Sequence, residues 1–206
     1  MNSYFCNDQY KNTMRGRPAI FDNEKLLMLA QQVFWTKGYT ATSLSDLLDA
    51  MSIGSGSFYH SFKGGKKEVF SRAIQQRRAD FNAFKIELNK NETPVRLIKD
   101  FFLSIASDSQ DIHMKGCIIA NTVAEMTLVD QDLADEAIEI LKEVEHMFTE
   151  TIRKAQQSGE LQNTTDAALL GRYLITLWNG LNVTRRMYPH GDLLRKQIEM
   201  QLEIIS

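Results

Sequence analysis

The scarcity of helix breakers constrains this chain more than any other feature. Its 206 residues contain three prolines, Pro18, Pro94 and Pro189, and each sits where a helical periodicity lapses. Apolar residues otherwise recur at intervals of three and four, the repeat of one helix face, so the expected fold is all-α with about nine helices. The first helix starts at a capping Asp22, buries Leu26, Ala30, Val33 and Phe34, and is closed by Gly38. Ser43-x-x-Asp46 opens a short second helix, in which the two side chains can satisfy free backbone N–H groups reciprocally while Leu44, Leu47, Leu48 and Met51 face inward. Ser52 to Gly56 makes a turn, and a third helix follows with Phe58 and Phe62 as core anchors one turn apart.

After the Gly64-Gly65 break a long helix is expected from about Lys66 to Leu88, then helices near 94–108, 115–128, 131–157, 165–187 and 191–205. This divides the chain into an arm and trihelical head, residues 1–65, and a helical body, residues 66–206. The length is ample for a buried core. Hydrophobic content of 43% comes without the roughly 18-residue apolar run that spans a bilayer, so no membrane partner is expected. The opening stretch Met1 to Met14 is polar and lacks the apolar segment of a secretory signal. The expected compartment is therefore the reducing cytoplasm, with Cys6 and Cys117 as free thiols.

Charge is divided unevenly along the chain. Residues 1–78 carry a net +5 and the remainder −7, so the head is suited to a polyanion. Catalysis is not supported. Asp111, His113 and Cys117 lack an orienting partner at a defensible spacing, and Glu139, Glu143 and His146 form an acidic face with a single Glu-x-x-His pair. No metal or cofactor is expected.

Three short helices, the second of about eight residues and the third entered through a tight turn, are what a helix-turn-helix needs, the first two bracing the third in the major groove. At this point the sequence resembles the TetR family of transcriptional regulators. The resemblance lies in Gly38-Tyr39, Thr42-Ser43-Leu44-x-Asp46-Leu47, Ile53-Gly54-x-Gly56-Ser57-Phe58-Tyr59-x-x-Phe62 and Lys66-x-Glu68-Val69-Phe70. It implies that double-stranded operator DNA is the partner. Thr42 and Ser43 would cap the second helix and touch a phosphate, and Ser55, Ser57, Tyr59 and His60 would present the third helix to phosphates and base edges. Lys66 resembles the family's phosphate-binding lysine. Arg15 and Arg17, in a Gly/Pro arm, suit an adjacent minor groove, the alternative being a charged tail. Three departures from the family pattern stand out: the Phe62 to Phe70 segment is one residue longer than in most relatives, Ser55 replaces a frequent lysine or arginine, and two positions lack the usual capping residue. Ser52 stands where glycine usually closes the second helix, and Gly54 where serine or threonine usually caps the third.

For the body the resemblance implies a homodimer and a small-molecule effector. The last two long helices would pack against their twofold copies, using Leu169, Leu170, Tyr173, Leu174, Leu177, Leu181 and the 191–205 helix, with packing inside one subunit as the competing reading. Phe84, Phe101, Phe102, Ile105, Met126, Met147, Phe148 and Trp178 offer apolar walls for a hydrophobic or aromatic effector, or form plain core. Asn121, Glu125 and Asn182 are the polar candidates. Cys117, at a helix start, resembles the glycine-cysteine pair of relatives that respond to electrophiles or oxidants.

Overall fold

The structure is a computed structural model and describes residues 22–188 and 191–206. The described residues form ten α-helices and two 3-10 turns, with no strand. They divide into two compact units, one ending at Asp80 and the other Phe81–Ser206. The division falls inside a helix, α4 (Gly65–Lys90), and not at its start. The first turns of α4 carry Val69, Phe70, Ala73 and Ile74, all fully buried, into the head core. They also bring the Arg77 guanidinium over the Trp35 ring at 4.4 Å.

In the head, Asp22 caps α1 (Asn23–Lys37) by accepting hydrogen bonds from the Glu24 and Lys25 N–H groups. Gly38 ends it at φ 79°, a conformation glycine adopts without a Cβ penalty. The buried stripe of α1 is Leu26, Leu27, Ala30, Gln31, Phe34 and Trp35. Val33 is only half-buried, because the stripe turns toward α4, where Gln31 Nε2 donates to the Ala73 carbonyl at 2.8 Å. The reciprocal cap expected for α2 (Leu44–Met51) is present. The Asp46 N–H donates to Ser43 Oγ at 3.1 Å, and the Ser43 N–H donates to Asp46 Oδ2 at 2.8 Å. Hydrogen bonding to Lys37, then to Ser43, lowers the Asp46 pKa to about 2. Ser52 closes α2 in the left-handed region, at φ 54°. The next helix, α3 (Ser55–Ser61), seats Phe58 and Phe62 in the core. Each such ring contributes about 2 kcal/mol relative to exposure.

The body begins with the end of α4 and α5 (Pro94–Ser104), whose first position takes the proline because no helical N–H is needed there. A 3-10 turn (Ile105–Ser107) leads to α6 (Gln110–Lys115) and α7 (Ile118–Met126). The sequence predicts one helix over 115–128. Gly116, at φ 66° and ψ −147°, breaks it, and Ser109 caps the short preceding turn of helix. Asp130 caps α8 (Gln131–Ser158) and Gly159 closes it at φ 80°. Then come α9 (Ala167–Thr184), α10 (Gly191–Leu202) and a final 3-10 turn (Glu203–Ile205). α8 and α9 pack closely through Gly171, where a Cβ would lie 2.1 Å from Thr149 Oγ1.

Candidate nucleic-acid interface and effector site

α3 is two-sided because its aromatic residues alternate between core and solvent. Phe58 is fully buried, while Tyr59 is half exposed with its ring set edge-on to Phe58 at 5.3 Å. Ser55 and His60 are exposed and Ser57 is half-buried, so four of the expected contact residues share the open side of one short helix. Gly54 caps α3 with no side-chain hydrogen bond, which leaves its first N–H groups free of side-chain competition at the positive end of the helix. Ser43 is exposed at the start of α2 and caps it.

Two of the expected contacts need correction. Thr42 is 1% exposed and its hydroxyl donates to the Gly38 carbonyl at 2.6 Å, so it fastens the α1–α2 loop and does not offer a hydroxyl to DNA. Lys66 reaches inward as well: its Nζ donates to the Thr42 carbonyl at 2.6 Å and sits 4.4 Å from the Tyr39 ring centroid. It clamps the start of α4 to the α1–α2 loop, with its ammonium drawn from the surface by a carbonyl and a π-face. Arg15 and Arg17 lie outside the described residues.

In the body the aromatic candidates do meet. Phe84 stacks on Phe101 at 4.8 Å and Phe101 on Trp178 at 5.1 Å. Phe102 lies 5.9 Å from Phe148 and 6.4 Å from Trp178. One and two turns beyond Trp178 on α9, the character changes. Asn182 is 2% exposed and donates to the Trp178 carbonyl at 2.8 Å, while Arg185 is 4% exposed and donates to Asp108 at 2.9 Å. Cys117, buried at the start of α7, lies within electrostatic reach of Arg185. Asn121 accepts from Arg186 Nη2 at 3.0 Å and donates to the Lys115 carbonyl at 2.9 Å. Glu125 is half-buried one turn further along α7.

Sequence reasoning missed Arg185, Arg186 and Asp108 and set His113 aside. The signal was available in the spacing Trp178, Asn182, Arg185, which carries a cation along the inward stripe of an apolar helix. Burial pushes the Asp108 carboxyl up and the Arg185 guanidinium down from their usual values, against the opposing effect of the ion pair. Burial, and then the Arg185 charge, lowers the His113 imidazole.

A trihelical head with one buried and one hydroxyl-bearing helix face, joined to a helical body, defines a DNA-binding regulator of the helix-turn-helix class. Residues 26–73 match the family described as bacterial regulatory proteins, tetR family, and residues 95–200 match the tetracyclin repressor-like C-terminal domain. The chain belongs to the TetR family of transcriptional regulators. It is 29% identical to the uncharacterized HTH-type transcriptional regulator YezE of Bacillus subtilis (strain 168), over 93% of this chain and 100% of that one. It is 28% identical to the HTH-type transcriptional repressor ComR of Escherichia coli (strain K12), over 90% of this chain and 88% of that protein. Among solved structures it superposes on a cysteine mutant of the TetR family regulator CifR in complex with 26-base-pair operator DNA. That match has a TM-score of 0.79 and 24% identity, and covers 91% of this chain and 98% of the other.

Proposed function

We propose that this regulator is a cytoplasmic homodimeric repressor, held on double-stranded operator DNA through its paired α3 helices and released by a small hydrophobic or electrophilic effector bound in the body. The observation that carries the reading is the open side of α3, where Ser55, Ser57, Tyr59 and His60 stand over a core of Phe58 and Phe62. Two such helices about 34–36 Å apart fit successive major grooves on one side of a duplex. Ser43 adds a hydroxyl at a helix N-terminus, and Arg15 and Arg17 reach the neighbouring minor groove. The repressor assignment agrees with the name of the relative ComR.

For the dimer, α9 offers Leu169, Thr176, Gly180 and Val183 on one exposed stripe, with Met187 just beyond it. A Cβ on Gly180 would meet nothing within 4 Å, so a second backbone can approach closely there. On α10, Leu193 and Met200 are more than 60% exposed. The other residues expected in that interface are used within the subunit: Leu170, Leu174, Leu177 and Leu181 are buried, and the Tyr173 hydroxyl donates to the Gln201 carbonyl at 2.8 Å.

Because α4 belongs to both units, an effector that binds one setting of the body better than another biases the heads through that helix, and only by its difference in affinity. Cys117 is the nucleophile for an electrophilic effector. The test is a gel shift on genomic fragments selected by the purified protein. Tyr59→Ala should weaken binding to all selected sequences about tenfold, the loss of one phosphate contact. Relaxed preference at a single base position, with overall affinity kept, would reject the positioning role.

A further inference from the structure

Among the described residues, seven side chains of the body keep a buried polar atom without a hydrogen-bond partner, and four of these atoms are Trp178 Nε1, Asn182 Oδ1, Arg185 Nε and His113 Nδ1. The residues of these four are 8%, 2%, 4% and 4% exposed. Native interiors pair nearly all such groups, so an unpartnered set asks what completes it. Trp178, Asn182 and Arg185 follow one another at spacings of four and three and share one face of α9, over a length of about 10 Å at 1.5 Å per residue.

The two ends of this stripe differ in chemistry. At one end the Trp178 ring lies among Phe81, Phe101 and Phe102. At the other, Arg185 is paired with Asp108 and lies within electrostatic reach of His113 and Cys117. Arg186 joins this end through Asn121 and the Lys115 carbonyl, and its Nε is also unpartnered. The Lys115 ammonium is taken by Asp111 at 2.7 Å. Arg185 therefore has one carboxylate, Asp108, as its ion-pair partner, with the like charge of Arg186 and a neutral-leaning imidazole beside it. Cys117 makes no side-chain cap at the start of α7, so the positive end of that helix adds to the same field. Burial opposes the charge on Arg185 and His113, as expected where cations are taken from water with too little compensation.

We propose that this stripe recognises an organic anion with a flat aromatic or conjugated body, its carboxylate received by Arg185 and its ring lying against Trp178 and Phe101. The proposal rests on the reading that the body senses a small effector, and it names the class. A carboxylate accepts the Arg185 Nε–H and restores the balance of charge. A donor group on the body of the ligand meets Asn182 Oδ1, and an acceptor meets Trp178 Nε1–H. A neutral ring satisfies only the aromatic end, and a small anion only the ionic one.

The test uses the full chain carrying Trp35→Phe, which leaves Trp178 as the only indole. Fluorescence is titrated with trans-cinnamate, with cinnamyl alcohol as the uncharged analogue and with acetate as the anion lacking a ring. Cinnamate is expected to saturate at about tenfold lower concentration than either, the scale of one charge-assisted hydrogen bond. Arg185→Gln should bring cinnamate and cinnamyl alcohol level. Asp108→Asn, which keeps the side chain's size and frees Arg185, should tighten cinnamate binding and serves if the arginine variant does not fold. Equal or tighter binding of the alcohol, a preference that survives Arg185→Gln, or no saturable response at millimolar concentrations overturns the proposal. Cinnamate binding that leaves the operator complex intact would sink the release mechanism and keep the site. Release by neutral aromatics alone would do the reverse.

Discussion

Ser52 shows how one residue records a conflict between local chemistry and fold. Its φ of 54° puts an L residue in the left-handed region to close α2, where its N–H bonds to the Asp49 and Leu48 carbonyls. Cβ crowding there costs about 1 kcal/mol, so Ser52→Gly is expected to raise stability by about 0.5–1 kcal/mol, read as a higher urea midpoint. An unchanged or lower midpoint would show that the strain is absent. His113 makes a second prediction at this scale. Burial and Arg185 lower its pKa, so the native state favours the neutral ring. Its contribution to stability is whole above the ordinary histidine value of 6.5 and is lost as pH falls from there through the native pKa, because the unfolded chain takes up a proton that the buried ring resists. Asp108, whose carboxyl burial pushes up, contributes in the opposite sense, favouring the native state less as pH rises. His113→Gln should flatten the melting temperature of the body between pH 7 and pH 5, and a slope equal to that of the parent would sink the assignment. The residue scale is also where the sequence misled. Thr42 and Ser43 are adjacent hydroxyls with the same local signal, and only the packing of the α1–α2 loop turns one inward and leaves the other in solvent.

Elements were legible where their ends carry chemistry. Asp22, Ser43 and Asp130 each cap the helix they precede, and Gly38 and Gly159 end theirs at positive φ. The 110–126 region was misread because a six-residue helix has no periodicity to detect, and because Gly116 looks like an ordinary helical glycine until its φ of 66° is known. Its place is further fixed by close approach, since a Cβ there would lie 2.9 Å from the Asn182 carbonyl oxygen. Gly171 governs the α8–α9 contact. Its missing Cβ would fall 2.1 Å from Thr149 Oγ1 and 3.0 Å from the Thr149 backbone N and Cα. Gly171→Ala should therefore cost about 1–3 kcal/mol by pushing two packed helices apart, despite alanine's better helix propensity. Thermal unfolding checks the sign, and adding Thr149→Ala should restore only part of the loss, because the backbone contact remains.

At the scale of the whole molecule, the proposed function depends on a second copy. Val183 is 58% exposed on the α9 stripe, and Val183→Glu places a charge on the proposed seam that cannot be buried unpaired. Sedimentation should then show a monomer, with operator binding falling together with the dimer; a dimer that persists would move the interface elsewhere. The all-α class, the capped head and the open side of α3 were set by the sequence itself, because local periodicity, caps and turn residues act over a few neighbouring positions. Which apolar residues of α9 turn inward, how Lys66 and Thr42 lock together, and the meeting of Arg185 with Asp108, His113 and Cys117 were decided only by tertiary structure. Those outcomes depend on which faces of distant helices come together, and the same stripe of leucines suits a neighbouring helix of its own chain as well as it suits another subunit.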